Sequence, residues 1–262
     1  MKTVLLTSSI GTNYKNELGE RVLCKPDNSN GFIDKLKSYS GSKIDKFIAI
    51  ASDPNLYEIT DFYTDLLRKS FAMDNIEINN MLIIDNRYKG NLEKDILSAS
   101  VVFLCGGHVP TQNAFLKDIG LKEILSKYDG ILIGQSAGSM NMASIVYCPP
   151  EAPEDFTDGF QRTFEGLGIT DIRIMPHMDI LFDDNVDGMG KNSIDYCIED
   201  SYKTYMYGLY DGGFVEIKDN QAVSYGKTLL IKNGEITELC ANGEAIEISP
   251  DYEILPSDSI TK

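Results

Sequence analysis

The order of elements constrains this chain most. Between residues 3 and 143, short apolar runs at Thr3–Thr7, Phe47–Ala51, Ile76–Ile84, Val101–Leu104 and Ile131–Ile133 alternate one for one with helical stretches. Those stretches are Gly31–Tyr39, Ile59–Met73, Leu92–Ala99, Asn113–Ser126 and Ala137–Ala143. A helix between successive buried strands is what a parallel sheet needs as its crossover. In "TDFYTDLLRKSF" the residues Phe62, Leu66 and Phe71 fall roughly on one face, as an amphipathic helix packed on that sheet requires. The expectation is a mainly parallel sheet flanked by helices, built as a single α/β domain over residues 1–262, a length that can bury a substantial core.

The pattern changes in the second half. "CPPEAPEDFTDG", residues 148–159, is rich in proline and acid and reads as an exposed loop. A further strand, Ile172–Met175, runs into Pro176-His177. From Tyr205 onward, "YMYGLYDGG", "FVEIKDNQAVSYG" and "TLLIKNGEITEL" are short strands with turn residues, expected to close the fold as C-terminal β-hairpins. No internal repeat or low-complexity tract interrupts the chain.

Composition removes several partners. A net charge of −16 argues against nucleic acid or an anionic membrane, since phosphate binding needs clustered Lys and Arg and none is present. The five cysteines, Cys24, Cys105, Cys148, Cys197 and Cys240, form no CxxC pair, so neither a zinc site nor a disulfide framework is indicated. Reduced thiols in a cytoplasmic protein fit better. The opening "MKTVLLTSSIGTN" resembles a signal peptide, but Val4-Leu5-Leu6 is too short for its apolar region and is read as a first strand. No later apolar run approaches the length of a membrane span.

Chemistry is concentrated where the apolar runs end. In an open α/β sheet, function gathers at the carboxyl ends of the strands. Gly106-Gly107-His108, Ser136, Pro176-His177 and Asp211 all fall there on this reading. In "GILIGQSAGSMNMA" the strand turns into a helix through Gly134-Gln135-Ser136-Ala137-Gly138, the G-x-S-x-G pattern of a nucleophile elbow. A glycine turn alone would look the same. A serine nucleophile needs a base near neutral pH, however, and both histidines of the chain, His108 and His177, are expected at the same edge. The base needs a carboxylate to fix its tautomer, and Glu151, Asp179, Asp183, Asp184 and Asp211 are all eligible. The amide of Ala137, with one from Gly106 or Gly107, is suited to hold an oxyanion.

"FLCGGHVPTQNAFL", "GILIGQSAGSMNMA", "IMPHMD" and "YGLYDGGFVEIKDNQAV", in that order over roughly residues 100–235, resemble the serine peptidase family of aspartyl dipeptidase (peptidase E) and cyanophycinase. The resemblance implies a fold like that of class I glutamine amidotransferases, with serine replacing cysteine at the elbow. It places Ser136 on the nucleophile and His177 on the base. Asp211 falls where the family commonly carries Glu in a Gly-Leu-x-Glu-Gly motif, and Glu151, fifteen residues after the serine, falls near another acid proposed for that role. Asp211 ranks first and Glu151 second. The family's Gly-Gly-Gly-Asn-Thr loop is here Gly106-Gly107-His108-Val109-Pro110-Thr111, which sets His108 against the substrate. Lys191 stands fourteen residues beyond His177, where aspartyl dipeptidase has an Arg for its acidic substrate, and an ammonium lacks the bidentate fork. The neighbouring Asp183, Asp184 and Asp187 are competing partners for that lysine, and a solvated lysine is the alternative.

The expected function is therefore a cytoplasmic serine peptidase or amidohydrolase, dipeptidase-like, cleaving small peptides through an acyl-enzyme on Ser136. It needs no metal and no organic cofactor. A non-catalytic member of the fold, with its site closed by the altered loop, is one alternative. An α/β-hydrolase esterase is another, disfavoured by the long segment after His177. The oligomeric state, monomer or homodimer, stays open.

Overall fold

A strand covered on both faces is shielded from water at every position, and β1 (Thr3–Thr7), with Val4-Leu5-Leu6 at its centre, is buried throughout. The computed structural model describes residues 2–150, 155, 159–183 and 191–249. In it β1 lies inside a large sheet, parallel to β7 (Ile131–Gln135) and antiparallel to β12 (Phe214–Lys218). Beyond β7 come β6 (Val101–Leu104), β4 (Lys43–Ile50) and β5 (Glu77–Ile84), all parallel. Beyond β12 come β13 (Gln221–Tyr225) and β16 (Ala245–Ile248), so the full order is β16-β13-β12-β1-β7-β6-β4-β5. Side-chain alternation divides the core between the two faces. Val4, Leu6, Ile48, Ile50, Val102 and Leu104 join one cluster, and Leu5, Phe47, Ala49, Val101 and Phe103 the other. The expected mixed α/β fold with a mostly parallel sheet is the one observed.

The helices follow the crossovers: α1 (Phe32–Ser40), α2 (Tyr57–Met73), α3 (Leu92–Leu97), α4 (Val109–Asp118), α5 (Leu121–Leu125) and α6 (Ala137–Met140). Three differ from expectation. The stretch 113–126 is two helices, not one, because Gly120 takes φ +62 and breaks the run between α4 and α5. Helix α6 is a single turn. On α2 the buried stripe is Thr60, Thr64, Leu66, Leu67, Ser70 and Phe71, so Leu66 and Phe71 face the core as expected, while Phe62 is exposed and packs on Tyr63. Two threonines hide in that stripe because their hydroxyls donate to the carbonyls of Leu56 and Thr60, one turn back.

A second sheet accounts for the latter half of the chain. Its order is β10-β11-β14-β15, from Ile174–Met175, Met206–Leu209, Thr228–Lys232 and Glu235–Cys240. The C-terminal hairpins thus do not stack in one place. The chain leaves β11 for the hairpin β12–β13 in the central sheet, returns for the hairpin β14–β15, and ends described order in β16 of the central sheet. Of the expected strand 172–175 only Ile174 and Met175 pair, parallel to β11. Two small ribbons were not anticipated: β2 (Asn13–Lys15) with β3 (Arg21–Leu23), and β8 (Ile145–Tyr147) with β9 (Thr163–Glu165). Helices α7 (Met178–Leu181) and α8 (Ser193–Asp200) complete the elements. All five cysteines are free thiols, and no helix among the described residues is long and apolar enough to cross a membrane.

One buried charge ties α1 to the antiparallel edge of the sheet. The Glu216 carboxylate, on β12, accepts from Lys35 at 2.8 Å, from Tyr225 at 3.0 Å and from the Tyr39 hydroxyl. Burial pushes its carboxyl up, but the three donors and the Lys35 charge outweigh that and hold it below the ordinary glutamate value. A depressed folded-state value contributes stability above the unfolded value and loses it as pH falls through the folded one. Urea denaturation is therefore expected to show Glu216→Gln less stable than wild type by about 1–3 kcal/mol at pH 7. The gap should narrow as pH drops below about 4.

Candidate active site

The elbow is built by packing as much as by backbone freedom. A Cβ on Gly134 would sit 2.6 Å from the Ser139 backbone, and one on Gly138 would sit 2.2 Å from the Leu104 carbonyl oxygen. Helix α6 thus lies directly on the ends of β6 and β7, a contact only glycines permit. Between them Ser136 takes φ 50 and ψ −118, a sparsely populated conformation for a residue with a side chain. The surroundings hold it there: its N–H donates to the carbonyls of Thr7 (3.0 Å) and Ser8 (3.1 Å), and its own carbonyl accepts from Ser139 (2.9 Å) and Met140 (3.0 Å). The side chain is left projecting from the sheet edge.

His177 arrives from the other sheet. It follows β10, caps α7, and takes the left-handed conformation at φ 59 and ψ 37. Its Nε2 lies 2.9 Å from Ser136 Oγ and its Nδ1 lies 2.8 Å from Asp211 Oδ1. Asp211 follows β11, the parallel neighbour of β10, which is why the acid and the histidine reach the same place. Burial raises the Asp211 carboxyl, but the hydrogen bond and charge of His177, with the Ser8 hydroxyl, hold it below the ordinary aspartate value. An ionised carboxylate can only accept, so Nδ1–H donates to Asp211 and the unprotonated Nε2 accepts from the Ser136 hydroxyl. This is the protonation pattern that lets the imidazole take the serine's proton.

The three residues open on a cavity of about 630 Å³. Gly106, Gly107 and His108 form its wall beside Ser136, and Leu56, Ile59 and Tyr63 form an apolar side. Gly106 packs close enough that a Cβ would touch Ser136 Cβ at 3.3 Å. Gln112 holds this loop by donating to the Cys105 carbonyl at 2.7 Å. Asn141 then ties Gln112 to α6, bonding its Oε1 at 3.1 Å. His108 is pinned at both nitrogens, with Nδ1 2.8 Å from Thr111 Oγ1 and Nε2 3.3 Å from the buried Asp155. Burial pushes the Cys105 thiol up to about 12, so it stands in the wall as a neutral, poorly nucleophilic group. Among the described residues no three His, Cys, Asp or Glu side chains converge as metal ligands would.

Residues 29–225 match the sequence profile of peptidase family S51. The chain belongs to that family. It is a serine-type peptidase. Two solved structures share the fold. One is a peptidase from an acI-B1 Actinobacterium, 18% identical, with 94% of this chain and 97% of that one covered at a TM-score of 0.64. The other is a putative peptidase E protein from Listeria monocytogenes EGD-e, 15% identical, with 86% and 98% covered at 0.55. No curated protein matches the sequence.

In this S51 peptidase, then, Ser136, His177 and Asp211 come together, with Gly106, Gly107 and His108 around the same cavity and Ala137 opening α6 next to the serine. Glu151, with Asp184 and Asp187, lies outside the described residues. Lys191 does not line the cavity: its ammonium pairs with Glu199 at 2.7 Å and sits 3.8 Å from the Tyr196 ring centroid. Asp179 accepts the Asp211 N–H at 3.1 Å, and so orients that carboxylate's backbone instead of meeting the histidine. The residue that sequence reasoning missed is Ser8. Fully buried, it accepts the His177 N–H at 2.8 Å and donates to Asp211 Oδ1 at 2.8 Å. Ser8→Ala strips both bonds and leaves a backbone N–H without its partner. We expect peptidase kcat to fall about ten- to a hundredfold with KM little changed, measured by steady-state kinetics, since the loss bears on alignment of the base rather than on substrate binding.

Proposed function

We propose that this peptidase hydrolyses small peptides through an acyl-enzyme on Ser136. The observation that carries the reading is the unbroken chain from Ser136 Oγ to His177 Nε2 and from His177 Nδ1 to Asp211, both links under 3 Å. In the first step His177 takes the hydroxyl proton as Oγ attacks the scissile carbonyl. Asp211 holds the Nδ1 tautomer and stabilises the imidazolium that forms. The Ala137 N–H, at the first position of α6, has no intrahelical acceptor and faces the developing oxyanion, with a Gly106 or Gly107 N–H as the second donor. His177 then protonates the leaving amine. A water enters, gives its proton to His177, and releases the acid from Ser136.

Small peptides suit a cavity of about 630 Å³, and a dipeptidase is the narrower form of this reading. Reduced cysteines suit the cytoplasm as its place. A fluorophosphonate is expected to label the wild type at one serine, and Ser136→Ala to abolish both labelling and peptide hydrolysis. Hydrolysis surviving in Ser136→Ala would sink the mechanism. Asp211→Asn is expected to cost about a thousandfold or more in kcat while the unfolding transition stays in place, because Asn favours the wrong histidine tautomer. Glu151→Gln should leave turnover near the wild-type value, and the reverse result would move the third role to Glu151.

A further inference from the structure

We propose that the β2–β3 ribbon carries a carboxylate anchor, Arg21, and that the cavity selects short peptides that pair an apolar side chain with a carboxylate. The inference rests on Ser136 being where peptides are cleaved. Arg21 is the one Lys or Arg among the described residues lining the cavity, in a chain of net charge −16. Three observations mark it as placed for a ligand.

First, its surroundings hold it without neutralising it. The Asn13 side chain accepts from Nη1 at 2.7 Å, and the guanidinium lies over the Tyr63 ring at 5.1 Å from the centroid. No carboxylate among the described residues forms an ion pair with it, although Glu20 is its neighbour. Glu20 instead accepts from the Asn16 side chain at 3.0 Å. Second, the position is electrostatically unfavourable on its own account. In the ribbon Arg21 stands directly across from Lys15, and like charges in a cross-strand pair destabilise it. An unneutralised cation in an unfavourable pair is what an anion-binding position looks like before its anion arrives. Third, the planar fork keeps donors unused after the bond to Asn13, enough for a bidentate carboxylate.

The apolar half of the recognition comes from α2. Leu56, at the cap of that helix, and Ile59 and Tyr63, on it, line the same cavity at helical spacing yet remain 48%, 52% and 39% exposed. Large apolar side chains left this open beside a catalytic serine form a surface that a substrate side chain would cover. Tyr63 belongs to both halves, with its ring under the guanidinium and in the apolar wall. An apolar residue and a carboxylate from one short peptide would thus be met by adjoining groups. The carboxylate has two possible sources, the peptide's C-terminus or an acidic side chain.

Calorimetry on the Ser136→Ala protein, with and without Arg21→Met, tests this with Leu-Leu, Leu-Leu amide, Glu-Leu amide and Gly-Gly. With Arg21 present, one carboxylate-bearing leucine peptide should bind at least about tenfold more tightly than Leu-Leu amide, and Arg21→Met should erase that difference while leaving Leu-Leu amide unchanged. A loss confined to Leu-Leu assigns the C-terminus, and one confined to Glu-Leu amide assigns the side chain. Gly-Gly should bind more weakly than Leu-Leu. Equal binding of all the leucine peptides, an equal loss across them on Arg21→Met, or no binding at millimolar peptide overturns the anchor. Fluorophosphonate labelling of Arg21→Met in the Ser136 background separates the two readings. Labelling at the wild-type rate shows an intact nucleophile whatever the anchor does, and no labelling of either protein defeats the catalytic reading while calorimetry still judges Arg21.

Discussion

Ser8 sits at the point where the two sheets must agree. Its carbonyl takes the N–H of Ser136, at the end of the central sheet, and its hydroxyl takes the N–H of His177, at the end of the second. The same hydroxyl donates to Asp211. One small residue, through its carbonyl and its hydroxyl, therefore ties nucleophile, base and acid to a single buried reference. Ser8 is itself fully buried, so losing its partners would leave polar groups at a site where an unpaired one costs more than in water. A shift of either sheet along the other would break more than one of them at once. The geometry that places Ser136 and Asp211 on His177 is a consequence of that tie.

The tie alone would not aim Ser136. Its backbone conformation is costly, of the order of 1–3 kcal/mol for a non-glycine residue. What over-determines it is the contact of α6 on β6 and β7 through Gly134 and Gly138, neither of which leaves room for a Cβ. Behind the contact stands a buried amide cluster. Asn141 donates to the Val109 carbonyl at 3.2 Å as well as to Gln112, and accepts from Asn113 at 3.0 Å. Gln112 in turn holds the carbonyl of Cys105, just ahead of the glycine loop. Elbow and loop are joined through this cluster, so the two sides of the proposed oxyanion site are positioned as a unit and not by separate flexible loops.

The sequence made part of this legible. Continuous apolar runs separated by helical stretches identify a sheet buried on both faces, and the strands β1, β4, β5, β6 and β7 lie where those runs are. Only two histidines are present, which narrows the search for a base to a choice between His108 and His177. What periodicity could not carry was the arrangement of the second half. Short strands of two to six residues have little pattern, and nothing local tells β11 to leave the central sheet while β12 enters it. Ser8 looks like any polar residue ending a strand, because its three partners lie more than 100 positions away. Arg21 was equally silent: "YKNELGERV" is a polar ribbon whose place against the cavity is a tertiary fact. On α2 the signal misled, since hydrogen-bonded Thr60 and Thr64 take core positions that an apolar count awards to Phe62.

Charge links the whole chain to its site. A protein of net charge −16 repels an approaching carboxylate at long range, yet at physiological ionic strength that field is screened within about 8 Å. Inside the cavity the balance is local. Asp53 and Asp211 line it together with Arg21, and Asp211 is already engaged by His177 and Ser8. The carboxylate of Asp211 is thus spent on the imidazole and does little to repel a ligand at the ribbon. His108, fixed between Thr111 and Asp155, closes the wall with a ring whose nitrogens are both committed. Arg21 is then the cation of the described lining, held by Asn13 and the Tyr63 ring without a carboxylate ion pair among the described residues. In a strongly acidic protein, that unpaired cation is what would let the proposed carboxylate-bearing peptide settle in the site.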